Sequence, residues 1–168
     1  MNGIKQTYDP LEARVIAFLA RFAIPAMRIG LGVVFLWFGA LKFFPGLSPA
    51  EDLAGRTIET LTGGIVPSAT ALPILAAWEC LIGLGLLSGR FLRATLLLLA
   101  IQMAGTFTPL LLFPEEAFSR FHIAPTLEGQ YIIKNIVLIG AAMAVGATVR
   151  GGRLVPEAPA SRRGVLAG

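Results

Sequence analysis

Arg28-Ile-Gly-Leu-Gly-Val-Val-Phe-Leu-Trp-Phe-Gly-Ala-Leu-Lys42-Phe-Phe44 is an unbroken apolar run between two cations. Counted from Ala23, the run is long enough to cross a hydrocarbon core, which takes about 20 residues at about 1.5 Å rise each. Arg28, Gly32, Phe35, Gly39 and Lys42 recur at helical spacing and share one face. The two glycines on that face let a second helix approach closely. A helix satisfies its backbone polarity internally and can present an apolar surface to lipid, so the stretch predicts a membrane span.

Three further runs meet the same criterion, so the expected spans are about 23–44, 69–87, 91–113 and 129–149. Runs such as Leu96-Leu97-Leu98-Leu99 do not alternate, which argues against membrane β-strands. Composition agrees. Of 168 residues, 55% are hydrophobic and 14% charged, and the mean hydropathy is +0.75, too apolar for a soluble domain of this length. The net charge of +4 does not indicate nucleic acid, because the basic residues flank apolar runs and form no separate patch. Cys80 and His122 are the only cysteine and histidine, so one chain offers no internal disulfide and no cysteine- or histidine-rich metal or haem site. No cleaved signal peptide is expected, since the first 22 residues carry Asp9, Glu12, Arg14 and Arg21 without an isolated apolar core.

The expected fold class is all-α, a four-transmembrane-helix bundle over residues 23–150. It is preceded by a cytoplasmic segment, 1–22, and followed by a disordered cytoplasmic tail, 151–168. Asp9-Pro10-Leu11-Glu12 reads as a capping box, and Leu11, Val15, Phe18, Leu19 and Phe22 line one face of an amphipathic helix on the membrane surface. Pro25 then marks a bend into the first span. Ser48-Pro49-Ala50-Glu51 reads as a second capping box, opening a short surface helix over 49–62 that Gly63-Gly64 stops. Thr126 is the expected cap of the fourth span. Lys5, Arg14, Arg21, Arg28, Arg90, Arg93, Arg150, Arg153, Arg162 and Arg163 fall on one side. The other side carries Glu51, Asp52, Glu59, Glu115 and Glu116, with only Arg56 and Arg120 as basic loop residues. The positive-inside rule therefore places both termini in the cytoplasm.

Ionisable residues inside a span are costly and tend to face the bundle interior. Glu79 lies near the middle of the second span, and pairing with a lysine or arginine would let it ionise. Lys42 near the end of the first span either joins such a pair or snorkels to the headgroups. Gln102, Thr106 and Pro109 share a face of the third span. Glu128, Tyr131, Lys134 and Asn135 share a face of the fourth. The candidate ligand-binding cluster is therefore Lys42, Glu79, Gln102, Tyr131, Lys134 and Asn135. Arg28 and Glu128 are read as structural or lipid-facing charge, Arg28 binding lipid phosphate or capping helix carbonyls. Trp37, Trp78 and Tyr131 can flank a ring-shaped ligand or serve as ordinary core and interfacial aromatics. Surplus positive charge invites an anionic or carbonyl-bearing ligand. No catalytic residues are assigned, and no metal ligands.

The run Arg28–Phe44 resembles the first-helix signature of the DoxX/DoxD-like membrane proteins. Trp78-Glu79-Cys-Leu-Ile-Gly83-Leu-Gly85 resembles their second helix, and Gly129-Gln-Tyr131-Ile-Ile-Lys134-Asn135 their fourth. The chain also resembles related small inner-membrane proteins linked to reactive-chlorine resistance. The resemblance implies a four-helix bundle in a prokaryotic cytoplasmic membrane. It implies a role as a quinone-interacting or anchoring subunit of a membrane oxidoreductase or oxidative-stress system, with a periplasmic or membrane redox partner, no covalently bound cofactor and a quinone as the candidate ligand. It supplies no catalytic set. From the residues alone, a small transporter or proton/anion pathway and a non-catalytic assembly scaffold stay open, as does homo-oligomerisation. No nucleotide-binding, zincin or α/β-hydrolase signature occurs.

The charge bias has a direct test. A fluorescent reporter fused after Arg153 is expected to fluoresce in the cytoplasm, and an export-dependent phosphatase inserted between Glu115 and Ala124 to be active; the reverse pattern would overturn the orientation.

Overall fold

A computed structural model describes residues 10–120 and 123–153. Lys5, the cap expected at Asp9, His122, and the tail from 154 onward with Arg162 and Arg163 lie outside the described residues. The chain is mostly helical, with four helices long and apolar enough to cross a membrane: Pro10–Leu41, Ser68–Ser88, Leu92–Leu112 and Leu127–Ala147.

The first is α1 (Pro10–Leu41), one continuous helix of 32 residues with Pro25 inside it. A surface helix over 10–24, bent at Pro25 into the span, was expected, and the helix instead continues through Pro25 without a break. A proline removes a single backbone donor, and in an apolar medium keeping the remaining ladder costs less than opening it. Leu11, Val15, Phe18, Leu19 and Phe22 are helical, as the pattern required, and exposed.

After α1 comes α2 (Glu51–Leu61), entered through Ala50 in the left-handed region at φ 55°. The capping box expected there does not form. The Ser48 hydroxyl donates to the Pro49 carbonyl at 3.4 Å, while Glu51 Oε2 accepts the Gly46 N–H at 3.0 Å. The turn at Ala50 carries the Ser48 side chain away from the helix start, so the sequence spacing cannot act. The stop at Gly63-Gly64 is as read, with φ of 61° and 82°.

The second span is α3 (Ser68–Ser88), closed by Gly89 at φ 68°. The third consists of α4 (Leu92–Thr106) and α5 (Pro109–Leu112). Beyond it, α6 (Pro114–Ala117) leads into an antiparallel pair that the all-α reading did not contain, β1 (Phe118–Arg120) and β2 (Ala124–Pro125). The fourth span is α7 (Leu127–Ile133) and α8 (Asn135–Ala147). Thr126 caps it by accepting the Gly129 N–H on Oγ1 at 3.1 Å.

α1 packs on α3 and α8, and α4 packs on the same two, so the spans form a ring with α2 laid on α3 and α5 at one end. Leu31, Phe35, Ile82, Leu86, Leu99, Met103, Ala142 and Val145 form the buried core. The most extensive seam is α1 on α3. A Cβ on Gly83 would stand 2.5 Å from the Leu36 backbone nitrogen, and one on Gly39 would stand 2.8 Å from Glu79 Cβ. Small residues let two backbones meet where lipid supplies no hydrophobic drive between helices. Arg28 fastens the far end of the seam, its Nη1 donating to the carbonyls of Leu86 and, at 3.2 Å, Leu87. A cation at a helix C-terminus also opposes the helix dipole.

Gly83→Ala is expected to lower stability by about 1–3 kcal/mol through overpacking, read as the thermal midpoint in detergent. Gly140→Ala meets nothing within 4 Å and serves as the silent control; equal midpoints for the two would contradict the seam.

Candidate functional site

Gly39 brings α1 close enough to α3 that Lys42, one turn further along, reaches Glu79. Lys42 Nζ lies 2.6 Å from Glu79 Oε2, and both side chains are close to nine-tenths buried, at 12% and 11% exposure. From α4, Gln102 Nε2 donates to the other carboxylate oxygen at 2.7 Å. Three helices therefore meet on one carboxylate, and both of its oxygens are used. Lys42 also donates to the Phe38 carbonyl at 3.4 Å, and Thr106 Oγ1 to the Gln102 carbonyl at 2.9 Å. Gln102 Oε1 is buried and is the one buried side-chain oxygen or nitrogen without a partner among the described residues.

Charge of this kind persists in an apolar bundle only when paired and hydrogen-bonded. Glu79 meets both conditions. Lys42 spends its ammonium on the pair and does not snorkel.

Above the pair is a cavity of about 800 Å³. Its walls are the face of α1 carrying Phe35 and Phe38, the face of α3 carrying Trp78, and Ile101, Gln102 and Gly105 of α4. Tyr131, Lys134, Asn135 and Val137 close the fourth side, and Leu53, Thr57, Ile58 and Leu61 of α2 form a roof. Trp78 is oriented by its indole N–H, which donates to the Leu98 carbonyl of α4 at 3.2 Å. The roof is tied to the α5–α6 region by the ion pair of Arg56 with Glu116, which also raises the Arg56 guanidinium above its ordinary value. Arg56 lies over the Phe113 ring, 5.1 Å from its centroid.

Lys134 occupies the join between α7 and α8. Here the Val137 N–H bonds to the Lys134 carbonyl at 3.0 Å, three residues back and not four. The Asn135 side chain donates to the Tyr131 carbonyl at 3.1 Å. The Lys134 ammonium is 3.5 Å from the Tyr131 ring centroid and 5.8 Å from that of Phe38. Among the described residues it makes no ion pair. A local interruption in a span that lines a cavity is where irregular backbone is tolerated at membrane depth.

All six residues expected to form the cluster line this cavity: Lys42, Glu79, Gln102, Tyr131, Lys134 and Asn135. Arg28 is apart from it, on the α3 carbonyls. Glu128 sits in the first turn of α7, also apart, with no ion pair among the described residues. Of the three aromatics, Trp78 and Tyr131 line the cavity, whereas Trp37 faces outward at 66% exposure. Trp37 lies two residues from Phe35, and that step turns it off the inward face. Phe38 and the α2 roof escaped the sequence reading. Phe38 stands one turn before Lys42, a usable signal; nothing in α2 itself shows that it covers a cavity.

Groups of histidine, cysteine and carboxylate able to hold a metal ion are absent among the described residues. No protein-family model matches the chain, and comparison with curated proteins and with solved structures also produced no match.

Lys42→Met alone is expected to cost about 3–5 kcal/mol, because it strands a buried carboxylate. Adding Glu79→Gln, which can keep the hydrogen bond to Gln102, is expected to recover much of that loss. Chemical or thermal unfolding in detergent measures both. Additive losses in the double variant would show that the two side chains are not coupled.

Proposed function

We propose that this chain is a DoxX/DoxD-like subunit of a quinone-linked membrane oxidoreductase or oxidative-stress system, and that its cavity receives the quinone head. The observation that carries the reading is the cavity itself, about 800 Å³ of largely apolar wall with the Lys42–Glu79–Gln102 cluster at its floor and Lys134 at its side. Ligand sites are concave and mostly apolar, with a few convergent polar groups that fix orientation.

The donor set suits such a head. Lys134 can donate to a carbonyl without giving up an ion pair, and Tyr131, Phe38 and Trp78 supply ring faces. Gln102, whose Oε1 is buried without a partner, belongs to the same polar floor. When bound, the quinone would carry electrons and protons between partners; the chain's residues bind it, orient it and exclude water. Electrons must come from a periplasmic or membrane partner, for which the acidic loops around Glu51, Asp52, Glu115 and Glu116 offer a docking face.

In this reading the chain sits in a prokaryotic cytoplasmic membrane with both termini inside. The helix α2 rests on the extracytoplasmic membrane surface. Binding is favoured over transport by the packing on the far side of Glu79. There Leu31, Ile82, Leu86, Leu99 and Val145 are buried against one another and do not line the cavity.

The test is titration of the full chain, in nanodiscs, with short-chain ubiquinone and menaquinone analogues. Saturable binding is expected, weakened about tenfold or more in Gln102→Leu or Lys134→Met. Absence of saturable binding removes the quinone. Proton or anion flux into liposomes that fails in Glu79→Gln would establish a pathway instead. Neither binding nor flux, with only folded yield lost in these variants, would leave a scaffold.

A further inference from the structure

We propose that the cavity binds its ligand as an anion on an apolar tail, with Lys134 as the counter-charge and the tail leaving toward lipid between α4 and α8. This rests on the reading that the cavity takes a lipid-soluble ligand.

Charge balance comes first. Two cations, Lys42 and Lys134, and one acid, Glu79, line the cavity. Lys42 and Glu79 neutralise each other at 2.6 Å, so one positive charge is left over. It lies about 10 Å into the fourth span, counting 1.5 Å for each residue from Leu127. Only ring faces and no carboxylate stand against it among the described residues. Aromatic faces attract a cation weakly compared with a desolvated anion, and lipid provides no water to take their place.

The two lysines also share a frame. Lys42 donates to the Phe38 carbonyl at 3.4 Å while Lys134 lies 5.8 Å from the centroid of the Phe38 ring, so both lysines meet the same residue of α1. The amide groups of Gln102 and Asn135 are engaged on Glu79 and on the Tyr131 carbonyl, so Lys134 is the charged donor in the cavity wall that an anionic head can take.

The direction of approach follows from α4 and α8. Ile101 on α4 and Val137 on α8 both line the cavity and are 53% and 73% exposed. The two helices close together at the other end, where a Cβ on Gly146 would touch Leu96 at 3.6 Å. Exposed side chains at cavity level and close packing at the other end make this wall the side from which we take the tail to leave. A head that enters sideways from the bilayer keeps its tail on this side.

The experiment compares three probes on the full chain in phosphatidylcholine nanodiscs, by equilibrium titration. One is a long-alkyl hydroxynaphthoquinone, whose enol is ionised at neutral pH. The second is its O-methyl ether, with the same ring and tail but no charge. The third is palmitate, an anion without a ring. The ionised quinone is expected to bind about tenfold tighter than the ether, or more, since charge-assisted hydrogen bonds are roughly twice as strong as neutral ones. Lys134→Arg should keep the preference and Lys134→Met should abolish it, the ionised quinone losing more affinity than the ether so that the two bind the Met variant alike. Equal binding of ion and ether by the parent chain, or a preference that survives Lys134→Met, overturns the anion proposal and leaves the quinone reading standing. Palmitate binding as tightly as the ionised quinone upholds the anion and removes the ring. If no probe binds, both readings fall.

Discussion

The carboxylate of Glu79 is the point on which the bundle turns. It sits in the middle of a span where an ion has no water, and it persists by drawing Lys42 from α1 and Gln102 from α4 onto its two oxygens. The desolvation of a carboxylate is large, so any arrangement that leaves one oxygen bare is strongly disfavoured. Register between α1 and α3 follows from that demand, and so does the rotation of α4. The glycine seam permits the approach, since Gly39 lies against Glu79 itself; the ion pair decides where along the seam the helices stop.

The rest of the site is what remains once that pair is made. Lys42 and Glu79 cancel as charges, so the polar floor of the cavity is neutral and structural. Lys134, on the interrupted fourth span, is then the cation with chemistry to spare. The division of labour is physical. One lysine holds the helices together, and the other faces the space they enclose.

Two local rules were overruled by their surroundings. Pro25 was read as a boundary, yet α1 runs through it, because a lost hydrogen bond is a smaller penalty than exposed backbone in an apolar medium. Ser48-Pro49-Ala50-Glu51 has the spacing of a capping box, yet Ala50 takes a left-handed conformation and Glu51 turns back to Gly46. Where nothing competed, as at Thr126 and at Gly63-Gly64, the rules held.

The sequence by itself determined that four helices are long and apolar enough to span a membrane, and which polar residues stand on each inward-capable face. Both follow from one-dimensional properties: hydropathy over about 20 residues and a period of 3.6. It also placed Lys42, Glu79, Gln102, Tyr131, Lys134 and Asn135 in one candidate cluster, because charge inside a span has few places to go. Only the tertiary structure decided who pairs with whom. Lys42 and Lys134 are equivalent as letters; the close approach of α1 to α3 gives one of them the carboxylate and leaves the other with aromatic faces. It likewise put Trp78 inside and Trp37 outside, set Phe38 between the lysines, and laid α2 across the cavity as a roof. These are facts about the rotation and order of helices around a ring, and they depend on contacts between residues far apart in the chain.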